Sequence, residues 1–352
     1  MADALVLAGA VAKGGFTAGA LSVLSMPGVR ARLGLDVQRV VGASSGALNA
    51  LYYAAAIRGG LEVFAGARLV RIWIEEGTAC RVFDISLRNM LTGRGISSHR
   101  GLLGLLRKHL RPRAGHRSVD LRLVLTNLDG DLTEVGGALA TSHEHVARFT
   151  GTDLDSAEGL ERASRIAAAS AALPGLFAPA ALRIGCRAAE AVDGGVTDNA
   201  PVGQALAGAF DVTRVFVIAA VPRVLPKPGR LRGLSLASHL LDVMVQERLV
   251  RELRAIEQGN ARLRAIDEAI PDDGQRAVVL DALGWRGLRP VQIVEIRPDA
   301  PLPGNALSGF FSRALRERYV EAGAEAARRA VRDLVIAGPP GAVRQLPLFE
   351  RA

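Results

Sequence analysis

The strongest constraint on the fold lies in the first 58 residues, where two short apolar runs alternate with two stretches of small and apolar residues. Residues 4–8 (ALVLA) read as a buried strand, followed by a Gly-rich turn and a small-residue helix over about 14–24. Residues 37–41 form a second apolar run that ends at GASSG, and residues 47–58 (ALNALYYAAAIR) read as a helix with small and apolar residues on its packed face. Strand, helix, strand, helix at this spacing predicts an α/β fold with a parallel sheet. Later strands are expected at 121–126, 214–220 and 291–296, and helices at 158–171, 234–269 and 309–336. The pair Asp129-Gly130, followed by DLTEV, predicts a hairpin beside the strand at 121–126. No repeat or linker interrupts the chain, so residues 1–337 are expected to form one domain, with a Pro- and Gly-bearing tail at 338–352.

Composition narrows the partners. The 49% hydrophobic and 22% charged residues are ordinary for a globular protein, and no apolar run reaches the length of a membrane span. The N-terminal stretch carries Asp3 and lacks a basic region ahead of its apolar run, so it reads as a first strand and not a signal peptide. Two cysteines, Cys80 and Cys186, are too few for a disulfide framework, no metal-ligand spacing occurs, and a cytoplasmic location is expected. The net charge of +9 is unevenly placed: residues 85–119 hold eight Lys or Arg, three His and no Asp or Glu. That patch suits an anionic partner, although solvated cations without a partner explain it as simply. Aromatic residues make up only 4%, which argues against nucleic acid because single-strand binding needs stacking platforms. An anionic membrane surface, met peripherally through residues 85–119, is the partner left. Within that stretch GLLGLLRKHL (101–110) reads either as an interfacial helix or as a core-facing helix with a cationic outer face. Oligomeric state is not legible.

The chemistry turns on Ser44. Gly42-Ala43-Ser44-Ser45-Gly46 is a G-x-S-x-G, in which a strand turns sharply into a helix and lifts the serine hydroxyl clear of the backbone. Gly42 and Gly46 permit the turn. The same pattern arises by chance in a chain with 39 glycines, so Ser44 needs companions. A serine requires a base and donors for the oxyanion. A Ser–Asp–His triad of the α/β-hydrolase type fits poorly: about two strands precede Ser44, no HGGG-type loop exists, and His239 falls within a helical pattern, LSLASHLLDVMV. Asp193-Gly194-Gly195 in AVDGGVTDNAPV is the better candidate, since paired glycines after a short apolar approach let an Asp point into a site at a strand end. A surface turn is the plain alternative. The segment Gly9-Ala10-Val11-Ala12-Lys13-Gly14-Gly15 joins strand to helix, where free backbone N–H groups gather. It is neither a P-loop nor a dinucleotide fingerprint.

Together these segments resemble the patatin-like phospholipase family, whose members carry a Gly-rich loop of the form GGG-x-[RK]-G, a G-x-S-x-G elbow and a DG[GA] turn. The matching stretches are GAVAKG at 9–14, GASSG at 42–46 and DGG at 193–195. ASAALPGLFAP at 169–179, the continuation through Asn199 and Pro201, and LVLTNLDGDLTEV at 123–135 are also similar, so the likeness spans about residues 4–330. The resemblance implies a three-layer α/β/α fold with a mostly parallel sheet and a serine lipid acyl hydrolase without cofactor or metal. It implies a Ser44–Asp193 dyad acting on acyl lipids or phospholipids through an acyl-enzyme. The oxyanion loop is implied at Gly9, Ala10, Val11, Lys13 and Gly14, with the Ala10 and Val11 amides as donors. This chain departs from the family at Ala10 and Val11, which replace glycines. A β-branched valine tolerates positive φ badly, so a loop that needs that geometry is expected to be deformed. Two rival readings stand beside this one: an acyltransferase or thioesterase on the same dyad, and a non-catalytic anion- or nucleotide-binding α/β protein using the 9–15 loop as a phosphate nest.

Overall fold

All six residues of the first strand, β1 (Ala2–Leu7), are buried. Alternate side chains point to opposite faces of a strand, and here both faces are apolar: Leu5 and Leu7 enter one core cluster, Ala4, Val6 and Ala8 another. Asp3 is the exception, and its carboxylate is met by Arg214 at 2.6 Å. A strand covered on both sides belongs inside a sheet between two helical layers. That is its place in the structure, a computed structural model that describes residues 2–115, 117–208, 212–227 and 229–337. The tail expected at 338–352 lies outside the described residues.

The remaining strands of the main sheet are β2 (Val37–Ala43), β3 (Asp120–Val135), β4 (Ala138–Phe149), β5 (Ala180–Ile184), β6 (Arg187–Val192), β7 (Val212–Ile218) and β8 (Gln292–Ile296). Their order is β8-β7-β1-β2-β3-β6-β5, with β4 also paired to β3. From β8 to β3 neighbours run parallel, and β4, β6 and β5 add antiparallel pairs at the far edge. One face is covered by helices that include Gly15–Leu24, Ser45–Arg58, Ala157–Ser170 and Arg313–Ala337. The other is covered by Val202–Leu206 and the long helix Leu234–Ala269, through Val202, Ala205, Val245 and Leu249. The chain is a three-layer α/β/α protein with a mostly parallel sheet.

Two local expectations are corrected. Asp129-Gly130 is not the hairpin turn, because β3 runs on through it to Val135 with a register irregularity between Thr126 and Asp131. The chain reverses at Gly136-Gly137, at φ of 61° and 81°. A tight hairpin turn needs positive φ at both central positions, which two glycines meet without a Cβ clash and an aspartate does not. The hairpin β5–β6 was absent from the sequence reading, and it delivers the chain to Asp193. The last expected helix, 309–336, divides into Ser308–Phe311 and Arg313–Ala337 at Ser312, whose backbone is extended.

Candidate active site

The parallel strands β1, β2 and β3 end on the same side of the sheet, so the segments that follow them converge. In open α/β sheets this carboxyl edge is where ligands bind. Ser44 leaves β2 at φ 53°, ψ −132°, a strained conformation for a residue with a Cβ. The strain is held by contacts on every side. The Ser44 amide donates to the Ser170 hydroxyl at 2.9 Å, and Ser170 in turn donates to the carbonyl of Val124 on β3. A Cβ on Gly46 would lie 2.0 Å from the carbonyl oxygen of Leu7, so only glycine lets the helix after Ser44 sit this close to β1.

Asp193 arrives from β6. Its carbonyl accepts from the Thr126 hydroxyl at 2.8 Å and its amide donates to Ala172 O at 3.1 Å, which locks the turn against β3 and the 169–179 segment. The Ser44 hydroxyl donates to Asp193 Oδ2 at 2.7 Å, and the Gly195 amide donates to Oδ1 at 2.7 Å. Both residues are buried, Ser44 at 4% and Asp193 at 3% exposure. Burial pushes the Asp193 carboxyl up to about 7, with the Ser44 hydroxyl and Gly195 amide pulling the other way. The two residues are 149 positions apart in the chain and meet in one hydrogen bond. His239 lies in the long helix near Asp242, away from this pair of carboxylate contacts.

The 9–15 loop crosses beside Ser44. Val11 does adopt positive φ, 51°, in spite of its β-branch. Neighbouring bonds impose it. The Ala10 amide donates to Ser45 Oγ at 2.9 Å, the Ala12 amide to Ala306 O at 3.1 Å and the Lys13 amide to Ala10 O at 2.9 Å. Asn49 donates to the Gly14 carbonyl at 3.1 Å and is itself held by Trp73 Nε1 at 2.8 Å. The loop therefore keeps its turn at a strain cost of about 1–3 kcal/mol. A Cβ on Gly9 would stand 1.9 Å from Asn199 Oδ1 and 2.6 Å from Ser44 Cβ, so this glycine lets the loop touch the elbow. Lys13 is buried, with its ammonium 3.6 Å from Asp242 of the long helix. Ser45, Ser170 and Asp242 were not singled out from the sequence. Ser170 sits in the ASAALPG run and could have been picked out there, whereas nothing in the helical pattern around Asp242 marks it.

Two cavities meet at Ser44. The first is lined by Ser44, Asp193 and a long series of apolar side chains, among them Tyr52, Trp73, Leu102 and Phe177. The second also reaches Ser44 and Asp193 and is bounded by the 9–13 loop, Asn199 and the long helix. Leu102 and Leu106 point inward from the helix Arg100–His109, while Arg107 pairs with Glu161 at 2.9 Å and Lys108 with Glu76 at 2.7 Å. That segment is a core-facing helix with a cationic, ion-paired outer face.

A strained serine at a strand–helix elbow, bonded to a buried aspartate from a distant glycine turn, defines the class structurally. The sequence model of patatin-like phospholipases matches residues 5–206. The chain belongs to the patatin-like phospholipase family. Among solved structures, the chain is similar to the crystal structure of VipD from Legionella pneumophila, at 13% identity and a TM-score of 0.39. The alignment covers 94% of this chain and 66% of that one, so the chain spans just under two thirds of its length. No curated protein matches the chain.

Proposed function

We propose that the chain is a lipid acyl hydrolase that uses Ser44 as nucleophile and Asp193 as its base. The single observation that carries this reading is the 2.7 Å hydrogen bond between a strained Ser44 and a buried Asp193 whose carboxyl titrates at about 7. A carboxylate in the ordinary range is too weak a base for a hydroxyl, and raising its pKa toward neutrality improves the match. Ser44 Oγ attacks the acyl carbonyl as its proton passes to Asp193. The Val11 amide stabilises the oxyanion, with Lys13 adding positive potential; the Ala10 amide, expected as a second donor, already donates to Ser45 Oγ, and those of Gly9, Ala12 and Lys13 to backbone carbonyls. Asp193 returns the proton to the leaving alcohol oxygen, and a water then attacks the acyl-enzyme by the same proton route. The apolar cavity suits the acyl chain.

The membrane is met at the mouth of that cavity. Ile85, Leu87, Met90, Leu91 and Ile96 are exposed, beside the exposed Arg88, Arg94 and Arg100. The amides of Ile96 and Ser97 donate to Leu176 O at 3.0 and 2.7 Å, and Leu176 and Phe177 line the cavity. Arg94 is ion-paired with Glu190, and the apolar rim with the exposed Arg88 and Arg100 beside it, in a stretch without acids from 85 to 119, suits an anionic bilayer. Of the basic stretch, this rim and not the helix Arg100–His109 is the docking element.

The test is release of free fatty acid from phospholipid vesicles, with glycerol offered as acceptor and all products resolved. Free fatty acid that disappears in Ser44→Ala supports the hydrolase; acylated glycerol as main product points to a transferase; neither product refutes the reading.

A further inference from the structure

The second cavity contains a charge pair that the acyl-transfer steps do not use in full. Lys13 is 7% exposed in its side chain and Asp242 24%, and the 3.6 Å between them is too long for a hydrogen bond. Among the described residues no shorter polar contact is made by either charged head. Burial raises the Asp242 carboxyl, and Lys13 and His239 offset that only in part. On the same wall Asn199 Oδ1 is buried without a hydrogen-bond partner. With Lys13 buried, Asp242 only partly so, and no hydrogen bond between their heads, the pair keeps donor and acceptor capacity that a ligand in the cavity can fill.

The wall is also fixed. Arg248, on the long helix, donates to Asp198 Oδ2 at 2.8 Å, and Asp198 is five positions past Asp193 on the same turn. The Ala200 amide donates to Asp198 Oδ1 at 3.1 Å. Asp242 is therefore tied to the segment that carries Asp193. The long helix lies outside residues 5–206, so this wall is supplied by the part of the chain that the family match does not reach.

Resting on the acyl hydrolase reading, we propose that the second cavity binds the head group of the lipid, and that Asp242 makes it select a zwitterion. A phosphate meets Lys13 while an ammonium on the same head group meets Asp242. An anionic head group without an amine satisfies Lys13 but leaves the half-buried Asp242 without a cation and facing a like charge.

The experiment uses two soluble head groups that carry no acyl chain, glycerophosphoethanolamine and sn-glycerol 3-phosphate, titrated calorimetrically into the full-length protein. In the unsubstituted protein glycerophosphoethanolamine binds about tenfold or more tightly than sn-glycerol 3-phosphate, as expected for one compensated, half-buried charge. Asp242→Asn brings that ratio to one or below, and Asp242→Glu restores the preference. In vesicles, the ratio of kcat/KM for phosphatidylethanolamine over phosphatidic acid moves in the same direction. Equal binding of the two head groups, no binding of either, or a ratio unchanged in Asp242→Asn overturns the proposal. If no fatty acid is released at all, the hydrolase reading fails, and the calorimetric arm still decides whether Asp242 selects the zwitterion.

Discussion

Asp193 is held about three pH units above an ordinary aspartate, and both reactivity and stability respond to that shift. Its folded-state value of about 7, against 3.8 for the free group, means that the native protein keeps a proton that the unfolded chain has already lost. Stability therefore falls as pH rises through 4 to 7, by on the order of 4 kcal/mol once the carboxylate is fully ionised in the native state. Asp193→Asn removes that burden. Its unfolding free energy is expected to exceed that of the wild type by about 2–4 kcal/mol at pH 8 and to match it near pH 4, read by urea unfolding at both values. The same titration shapes activity: kcat/KM should climb with pH and level off above about 7 as Asp193 becomes the ionised base. A profile flat from pH 5 to 9 contradicts the role given to Asp193. The strain at Ser44 and Val11 belongs to this level too. Neither φ could be foreseen from residue type, since both side chains resist it and only surrounding hydrogen bonds impose it.

The junctions between strands and helices were largely legible because their residues are chosen by steric need. Gly42, Gly46, Gly194 and Gly195 mark places where chains pass closely, and a Cβ on Gly194 would stand 2.1 Å from the carbonyl oxygen of Val124. Gly46→Ala is expected to cost about 3 kcal/mol or more, by overpacking backbone against backbone, seen as a lowered Tm and a weakened signal from the folded fraction. The β5–β6 hairpin escaped notice since its strands are five and six residues long and half exposed, with no strong alternation. The rim helix Leu87–Leu91 offers a separate test. Leu87→Asp with Leu91→Asp should lower sedimentation with anionic vesicles by about tenfold, while hydrolysis of a short, water-soluble ester stays within twofold. Equal loss on both substrates would mean that the rim supports the fold and not the interface.

Across the whole molecule the matched region and the folding unit differ. Residues 5–206 hold the elbow, the loop and Asp193, yet β1 is paired on its other edge by β7, and β8 follows outside that. The helix Arg313–Ala337 packs on Gly15–Leu24 through the core, with Tyr319 fully buried. A fragment ending at residue 206 is expected to lack cooperative unfolding, because it exposes an apolar edge strand and an uncovered helix face. A sharp calorimetric transition in that fragment would contradict this. Such dependence is not legible: the partner of β1 on that edge, β7, lies 211 positions away, as the Asp3–Arg214 contact does, and no local pattern encodes that pairing. The same distance hid Asp242. The three segments at 9–15, 42–46 and 193–195 are legible because each carries its glycines locally; that they meet at one point is implied only by the family resemblance and by no local pattern. That meeting is tested most directly by fluorophosphonate labelling of the wild type beside Ser44→Ala and Asp193→Asn, with all three verified as folded. The account expects labelling of the wild type, none in Ser44→Ala, and a fall of about a thousandfold in rate for Asp193→Asn. A folded wild type that takes no label, or labelling that survives in Ser44→Ala, would contradict it.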